Sequence, residues 1–141
     1  MKLPSIFAAQ VAALSLLLTQ RSPAASERQP AHLTPDVSLV SLIATPEKFD
    51  GQYIRIMGIA YFDSKGSINA VCLTREDKRK ANGMNAIFLY FSPSVTNADK
   101  LNDKYVMVQG VFRTHDRGHL NSFAASLDQV DRLEEITVNV K

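Results

Sequence analysis

The sequence predicts a small, mainly β fold: a five-stranded antiparallel barrel, with one helix ahead of the first strand and a short helix between the third and fourth. Three observations carry this reading. The stretches Glu47–Ile59 and Asp99–Val111 echo each other, each running from a helix end through a polar turn into a strand opened by tyrosine, Tyr53 and Tyr105. β-Branched residues alternate through both, Ile54 with Ile56 and Val106 with Val108, and a glycine falls at the same step, Gly58 and Gly110. A glycine inside a strand marks a bulge or sharp bend, and bent strands close barrels. Second, 141 residues with 45% hydrophobic and 21% charged side chains suit one globular domain able to bury a core. Third, Cys72 is the sole cysteine, so no intramolecular disulfide supports that core.

Residues 1–24 have the layout of a secretory signal: Lys2, an apolar run from Ile6 to Leu18, then small residues at Ser22, Ala24 and Ala25. Ser22 and Ala24 place the preferred cleavage between Ala24 and Ala25, and the apolar run is short for an uncleaved membrane anchor. No cysteine stands at the leader's end to accept a lipid, so the expected location is periplasmic or secreted. Cleavage removes Lys2 and Arg21 and no acidic residue, so the 16 basic side chains fall by two to 14 against 14 acidic. A mature charge near zero weakens the general attraction that underlies most nucleic-acid binding.

Residues 25–33 are polar and aperiodic and read as a tether, the folded domain spans 34–136, and 137–141 form a tail. Thr34-Pro35-Asp36 offers a helix start, with Thr34 as cap and Pro35 in the first turn, and Val37, Leu39, Val40 and Ile43 supply an apolar stripe that Pro46 ends or kinks. Asp50-Gly51 turns the chain into strand one, Tyr53 to Phe62. Asp63–Gly66 suits a hairpin loop into strand two, about Ser67 to Leu73. Thr74–Ala81 is charged without a sustained apolar face and reads as a short helical turn or an exposed loop, closed by Asn82-Gly83. Strand three, Asn85 to Phe91, is apolar on both faces. A short helix from about Ser94 to Leu101 leads to strand four, Tyr105 to Arg113, and a hairpin over Thr114–Gly118 leads to strand five, somewhere between Leu120 and Val130. Leu133 and Ile136 are candidates to pack as the chain leaves.

This order matches the OB-fold, a five-stranded Greek-key barrel. The opening Leu42–Gly58, the stretch Leu101–Val111 and the ending Leu127–Glu134 resemble a family of small exported bacterial proteins with an OB-fold-like, tRNA-anticodon-binding-like domain. The resemblance covers roughly Val37 to Glu134. It rests on turn and packing residues, so it implies fold and brings no catalytic set with it.

Chemistry-bearing patterns are sparse. There is no Gly-x-Ser-x-Gly, no His-Glu-x-x-His and no phosphate-cradling glycine loop, and Ser92, Ser94 and Ser122 lack a visible base and orienter, which argues against an enzyme. His115 and His119 bracket Asp116, but Asp116, Arg117 and Gly118 form a turn rather than a helix face, and Arg113 and Arg117 repel a cation. A solvated hairpin tip is the expectation, with no metal and no cofactor. Cys72, in the apolar run Ala70–Leu73, reads as a buried thiol.

The densest basic run, Arg75, Lys78, Arg79 and Lys80, is offset by Glu76 and Asp77, and it joins strands two and three, part of the usual OB-fold ligand face. In strand three either Phe88 with Tyr90, or Ile87 with Leu89 and Phe91, faces outward; the first set is favoured. Phe88 and Tyr90, with Arg55 on strand one and Arg75 and Arg79 at the rim, form the candidate binding surface. The expected function is a non-enzymatic exported binding module: a protein-binding adaptor, inhibitor or immunity-type protein with an envelope or extracellular partner. An oligosaccharide or nucleic-acid binder is the alternative, with nucleic acid the less favoured.

Overall fold

The computed structural model describes residues 33–63 and 65–137. The leader, the tether except Leu33, and the last four residues of the expected tail lie outside them. Five strands, β1 (Tyr53–Phe62), β2 (Asn69–Cys72), β3 (Ala86–Phe91), β4 (Tyr105–Arg113) and β5 (Ala125–Glu135), close into a barrel in the order β1-β2-β3-β5-β4. β1 runs antiparallel to β2 and β4, as do β2 to β3 and β4 to β5, whereas β3 and β5 are parallel. The all-antiparallel expectation is thus corrected to a mixed barrel. The reason is parity: strand directions can alternate around a closed ring only when the number of strands is even, so five strands require a parallel seam.

β1 serves two neighbours. Its first part pairs with β4, from Tyr53 with Val111 to Ile59 with Tyr105, and its second with β2, from Ile59 with Cys72 to Phe62 with Asn69. Gly58 stands at the changeover. A Cβ there would lie 2.5 Å from Val71 Cγ1, 2.7 Å from the Cys72 carbonyl oxygen and 2.9 Å from Leu39 Cδ1. The missing side chain is what lets β2 and the preceding helix close over β1. Gly110 meets a similar limit, 2.7 Å from the Asp128 carbonyl oxygen, where the β4–β5 register shifts between Gln109 and Val111. The surplus residues of that bulge sit on β5, where Gln129 takes a left-handed φ of 51°.

Inward side chains Ile54, Ile56, Ala60 and Phe62 of β1, Val71 of β2, Ile87 and Leu89 of β3, Val106, Val108 and Phe112 of β4, and Leu127 and Val130 of β5 form the core with Leu39 and Leu42. Those two leucines come from α1 (Leu39–Ala44), which starts later than Thr34 because Ser38 is the cap, its Oγ accepting from the Ser41 N–H at 3.1 Å. The preceding residues are extended instead: Arg55 donates its backbone N–H to Pro35, and Val37 donates to Arg55. The expected helix over 94–101 is a 3₁₀ turn, Ala98–Leu101, entered from Asn97 with φ 57°. β5 runs beyond its expected end because the bulge breaks the alternation that would reveal it, and Leu133 packs on the core. The charged segment after β2 resolves as α2 (Arg75–Arg79), capped by Thr74. Among the described residues no helix is long and apolar enough to cross a membrane.

Candidate functional site

Strand alternation gives β1, β2 and β3 a second apolar layer on the outside of the barrel. Ile59, Ala70, Cys72, Ala86 and Phe88 point outward from these strands and pack with Phe123, flanked by Tyr61 and Ile68. Phe88 therefore faces outward, as expected from the sequence, but it is no exposed anchor: only 7% of it is accessible. The β4–β5 loop covers it, with Gly118 against its ring and Phe123 at a centroid distance of 5.0 Å. Tyr90 is exposed, packs edge-on to Phe88 at 5.0 Å, and donates its hydroxyl to Asp116 Oδ1 at 3.2 Å. Desolvation, then the Asp116 carboxylate, raises the Tyr90 pKa.

The other candidates stand elsewhere. Arg55 Nη1 pairs with Asp36 at 3.3 Å, and the Gln109 amide, oriented with its oxygen toward Arg55, accepts from Nε at 2.8 Å and Nη2 at 2.9 Å. Beside it, Tyr53 donates to Asp131 at 2.5 Å, and burial first and that carboxylate second push the phenol up to about 12. This network pins the extended N-terminal segment to β1 and ties β1 to β5. Arg75 and Arg79 lie on α2, beside Tyr61 and Lys78 rather than Arg55 or Tyr90. Among the described residues no hydrogen bond or ion pair joins the three groups.

A cleft of ≈ 340 Å³ opens where the sequence reading did not centre the site. Its floor is the outer face of β1–β3, through Tyr61, Ile68, Cys72 and Ala86. One wall is Ala81, Asn82 and Gly83 after α2, and the other is His119, Leu120, Ser122 and Phe123 of the β4–β5 loop. The sequence carried a signal for it: Ala70–Leu73 and Ala86–Phe91 are apolar at successive positions, which means both faces of these strands need cover.

Local chemistry fixes the walls. In the β4–β5 loop, Arg117 Nε donates to the Phe123 carbonyl at 2.8 Å and Nη2 contacts Met84 Sδ at 3.0 Å, while Asp116 accepts from the Gly118 N–H at 2.9 Å. The loop holds Leu120 and Asn121 at φ 54°, and leaves Leu120 82% exposed at the cleft edge. A leucine in the left-handed region is strained by roughly 1–2 kcal/mol. Across the cleft, Asp77 accepts from Thr74, Asn82 and Asn85, and these bonds hold its carboxyl below the usual range. Burial, then the Asp77 charge, pushes the Cys72 thiol to about 11, so it is protonated at neutral pH. Ser122 Oγ donates to the Leu120 carbonyl at 3.3 Å, and among the described residues no hydrogen bond links it to His119.

A closed five-stranded barrel with this strand order, a turn of helix between β3 and β4, and a cleft bounded by the β4–β5 loop on the face of strands two and three is an OB-fold. No family model and no curated protein sequence matches the chain. Among solved structures it is similar in fold to a DUF3299 family protein from Pseudomonas aeruginosa PAO1, with 8% identity and a TM-score of 0.52 over 77% of this chain and 99% of that one. Looser likenesses are replication protein A of U. maydis bound to ssDNA (17% identity, TM-score 0.44, 77% and 78% of the two chains) and a putative aspartyl-tRNA synthetase from Leishmania major Friedlin (13%, 0.47, 84% and 24%).

Proposed function

We propose that this protein is an exported, non-enzymatic binding module that grips a protein in the bacterial envelope or outside the cell, as an adaptor, inhibitor or immunity-type protein. The observation that carries the reading is the apolar cleft between the β4–β5 loop and the outer face of β1–β3, with Leu120 exposed at its edge. Binding anchors are apolar or aromatic side chains seated in such desolvated pockets. At ≈ 340 Å³ the cleft stands at the small end of ligand sites, which span roughly 300–1,000 Å³, and has room for an apolar anchor side chain with part of its neighbour. A lining with a single imidazole, a serine hydroxyl bonded to a backbone carbonyl instead of to it, and a protonated thiol favours recognition over catalysis. The alternative occupants of the same face are an oligosaccharide or a nucleic acid, for which the Tyr61 ring is a stacking surface.

Leu120→Asp tests the site, because it places a charge at the cleft edge on a side chain with few contacts to lose. Envelope extract passed over the immobilised protein should yield a protein that the variant fails to retain, at equal melting temperature. Identical captured sets would remove the cleft from the function. Export rests on the Lys2, apolar-run and small-residue layout of residues 1–24. Mass spectrometry of protein recovered from periplasm or medium should find Ala25 as the first residue, and an intact Met1 would sink the localisation.

A further inference from the structure

Tyr61 lines two cavities: the apolar cleft, and a second cavity of ≈ 340 Å³ walled by Tyr61, Arg75, Lys78, Arg79 and Asp103. We infer that the segment gripped by the cleft carries an acidic residue next to its apolar anchor, the carboxylate being received by Arg75 in the cavity that shares Tyr61 with the cleft. The inference rests on the cleft as a protein-docking site and adds the chemistry of the partner.

Charge bookkeeping singles out Arg75. The Lys78 ammonium stands 5.5 Å from the Tyr61 ring centroid, but it is neutralised by Asp103 and also donates to Asn102 Oδ1 at 2.8 Å. The Arg79 guanidinium is held in a fork by Glu76, through Nε at 2.9 Å and Nη2 at 2.7 Å. Arg75 Nη1 donates to the backbone carbonyl of Asp103 at 2.8 Å, and among the described residues no carboxylate pairs with it. That bond aims the guanidinium along the cavity wall and spends one of its five donors. What remains in this cavity is one positioned cation without a carboxylate partner, beside an aromatic residue that also lines the apolar cleft. A fork of this kind matches a carboxylate. Within this cavity one cation without a carboxylate partner is also too little for a nucleic-acid backbone, which is tracked by several.

The experiment is a selection of random heptapeptides, displayed on phage, against the immobilised protein and against Arg75→Gln, with anisotropy titration of a fluorescent oligothymidylate alongside. Arg75 is an exposed residue, so the variant should melt with the parent, and a thermal scan checks this. The expected enrichment is of peptides with Asp or Glu within two positions of Phe, Tyr, Leu or Ile. Resynthesised, these should bind Arg75→Gln about tenfold or more weaker, since a charge-assisted hydrogen bond is lost. Changing the peptide acid to its amide should cost the parent the same factor and the variant nothing further. Enriched peptides without an acid, or equal affinity for both proteins, overturn the acidic partner and leave the cleft reading standing. Enriched peptides that bind Leu120→Asp undiminished, or no enrichment at all, overturn both. Oligothymidylate binding that Arg75→Gln abolishes, with no peptide enriched, assigns the surface to nucleic acid instead.

Discussion

Gly58 and Gly110 act through the space they leave rather than through backbone freedom, because neither has a positive φ. At Gly58 the nearest obstacles to a Cβ are a valine methyl at 2.5 Å and a backbone carbonyl at 2.7 Å, and the carbonyl belongs to a strand that cannot swing away. Valine at either position should therefore lower stability by about 1–3 kcal/mol or more as overpacking, read as a shift in urea midpoint, with unchanged midpoints for both variants removing their role in closure. Phe88 makes the complementary case. As a buried residue between Gly118 and Phe123, its truncation to alanine should cost about 3–5 kcal/mol, whereas Tyr90→Phe removes one exposed hydrogen bond and should cost about 1 kcal/mol or less. Equal melting temperatures for Phe88→Ala and the parent would mean the loop does not cover it. The echoed glycines were legible as special positions because strand period and residue type coincide there, but a bulge falls only opposite Gly110, the register running unbroken through Gly58; the outward direction of Phe88 was legible too. Its burial was not, because the cover comes from Gly118 and Phe123, some thirty residues on, in a loop without periodicity.

At the scale of elements, β1 and β4 were readable to their ends, since both begin at an exposed tyrosine after a turn and keep alternation. β5 was half hidden by its bulge at Gln129, and the first helix was placed too early because Thr34-Pro35 and Ser38 are both capable caps and only tertiary pairing with Arg55 chooses between them. The two walls of the cleft give opposite tests. α2 is held by Asp77, whose hydrogen bonds with Thr74, Asn85 and Asn82 lower its pKa. A depressed carboxylate contributes stability above its unfolded value, near 3.8, and loses it as pH falls through the lower folded value. Asp77→Asn should thus be less stable than the parent at pH 7, with the gap closing below pH 3.8; a gap independent of pH would show that the charge plays no part. The β4–β5 loop is strained rather than stabilised. Leu120→Gly should keep or raise the melting temperature, because the strained φ is relieved and little contact is lost. The same change should weaken any ligand of the cleft. A lower melting temperature would show that Leu120 contributes more by packing than its conformation costs.

For the whole molecule, a ring of five strands has no free edge, and its parallel seam between β3 and β5 follows from the odd count alone. Closure couples distant parts of the chain: β1 meets β4 across the loops of β2 and β3, and β5 returns between β3 and β4. Opening one strand therefore exposes two pairing edges. β2 is the shortest strand, and its Cys72 reports that event, since it pairs with Ile59 on one side and Ala86 on the other and is 1% exposed. The thiol, at about 11 in the folded protein and near the ordinary value of about 8.5 once exposed, barely reacts in place at pH 8. Labelling by a disulfide reagent should then proceed through the opened barrel, with a rate that rises with urea along the same slope as global unfolding. The competing route is through the cleft, whose floor includes Cys72. A reagent arriving that way needs no unfolding, so its rate would be flat in urea and would fall when a larger side chain, as in Ala86→Leu, fills the floor. A urea-independent rate sensitive to that substitution would show that the cleft floor opens without the barrel, and that β2 is a mobile panel rather than a fixed stave.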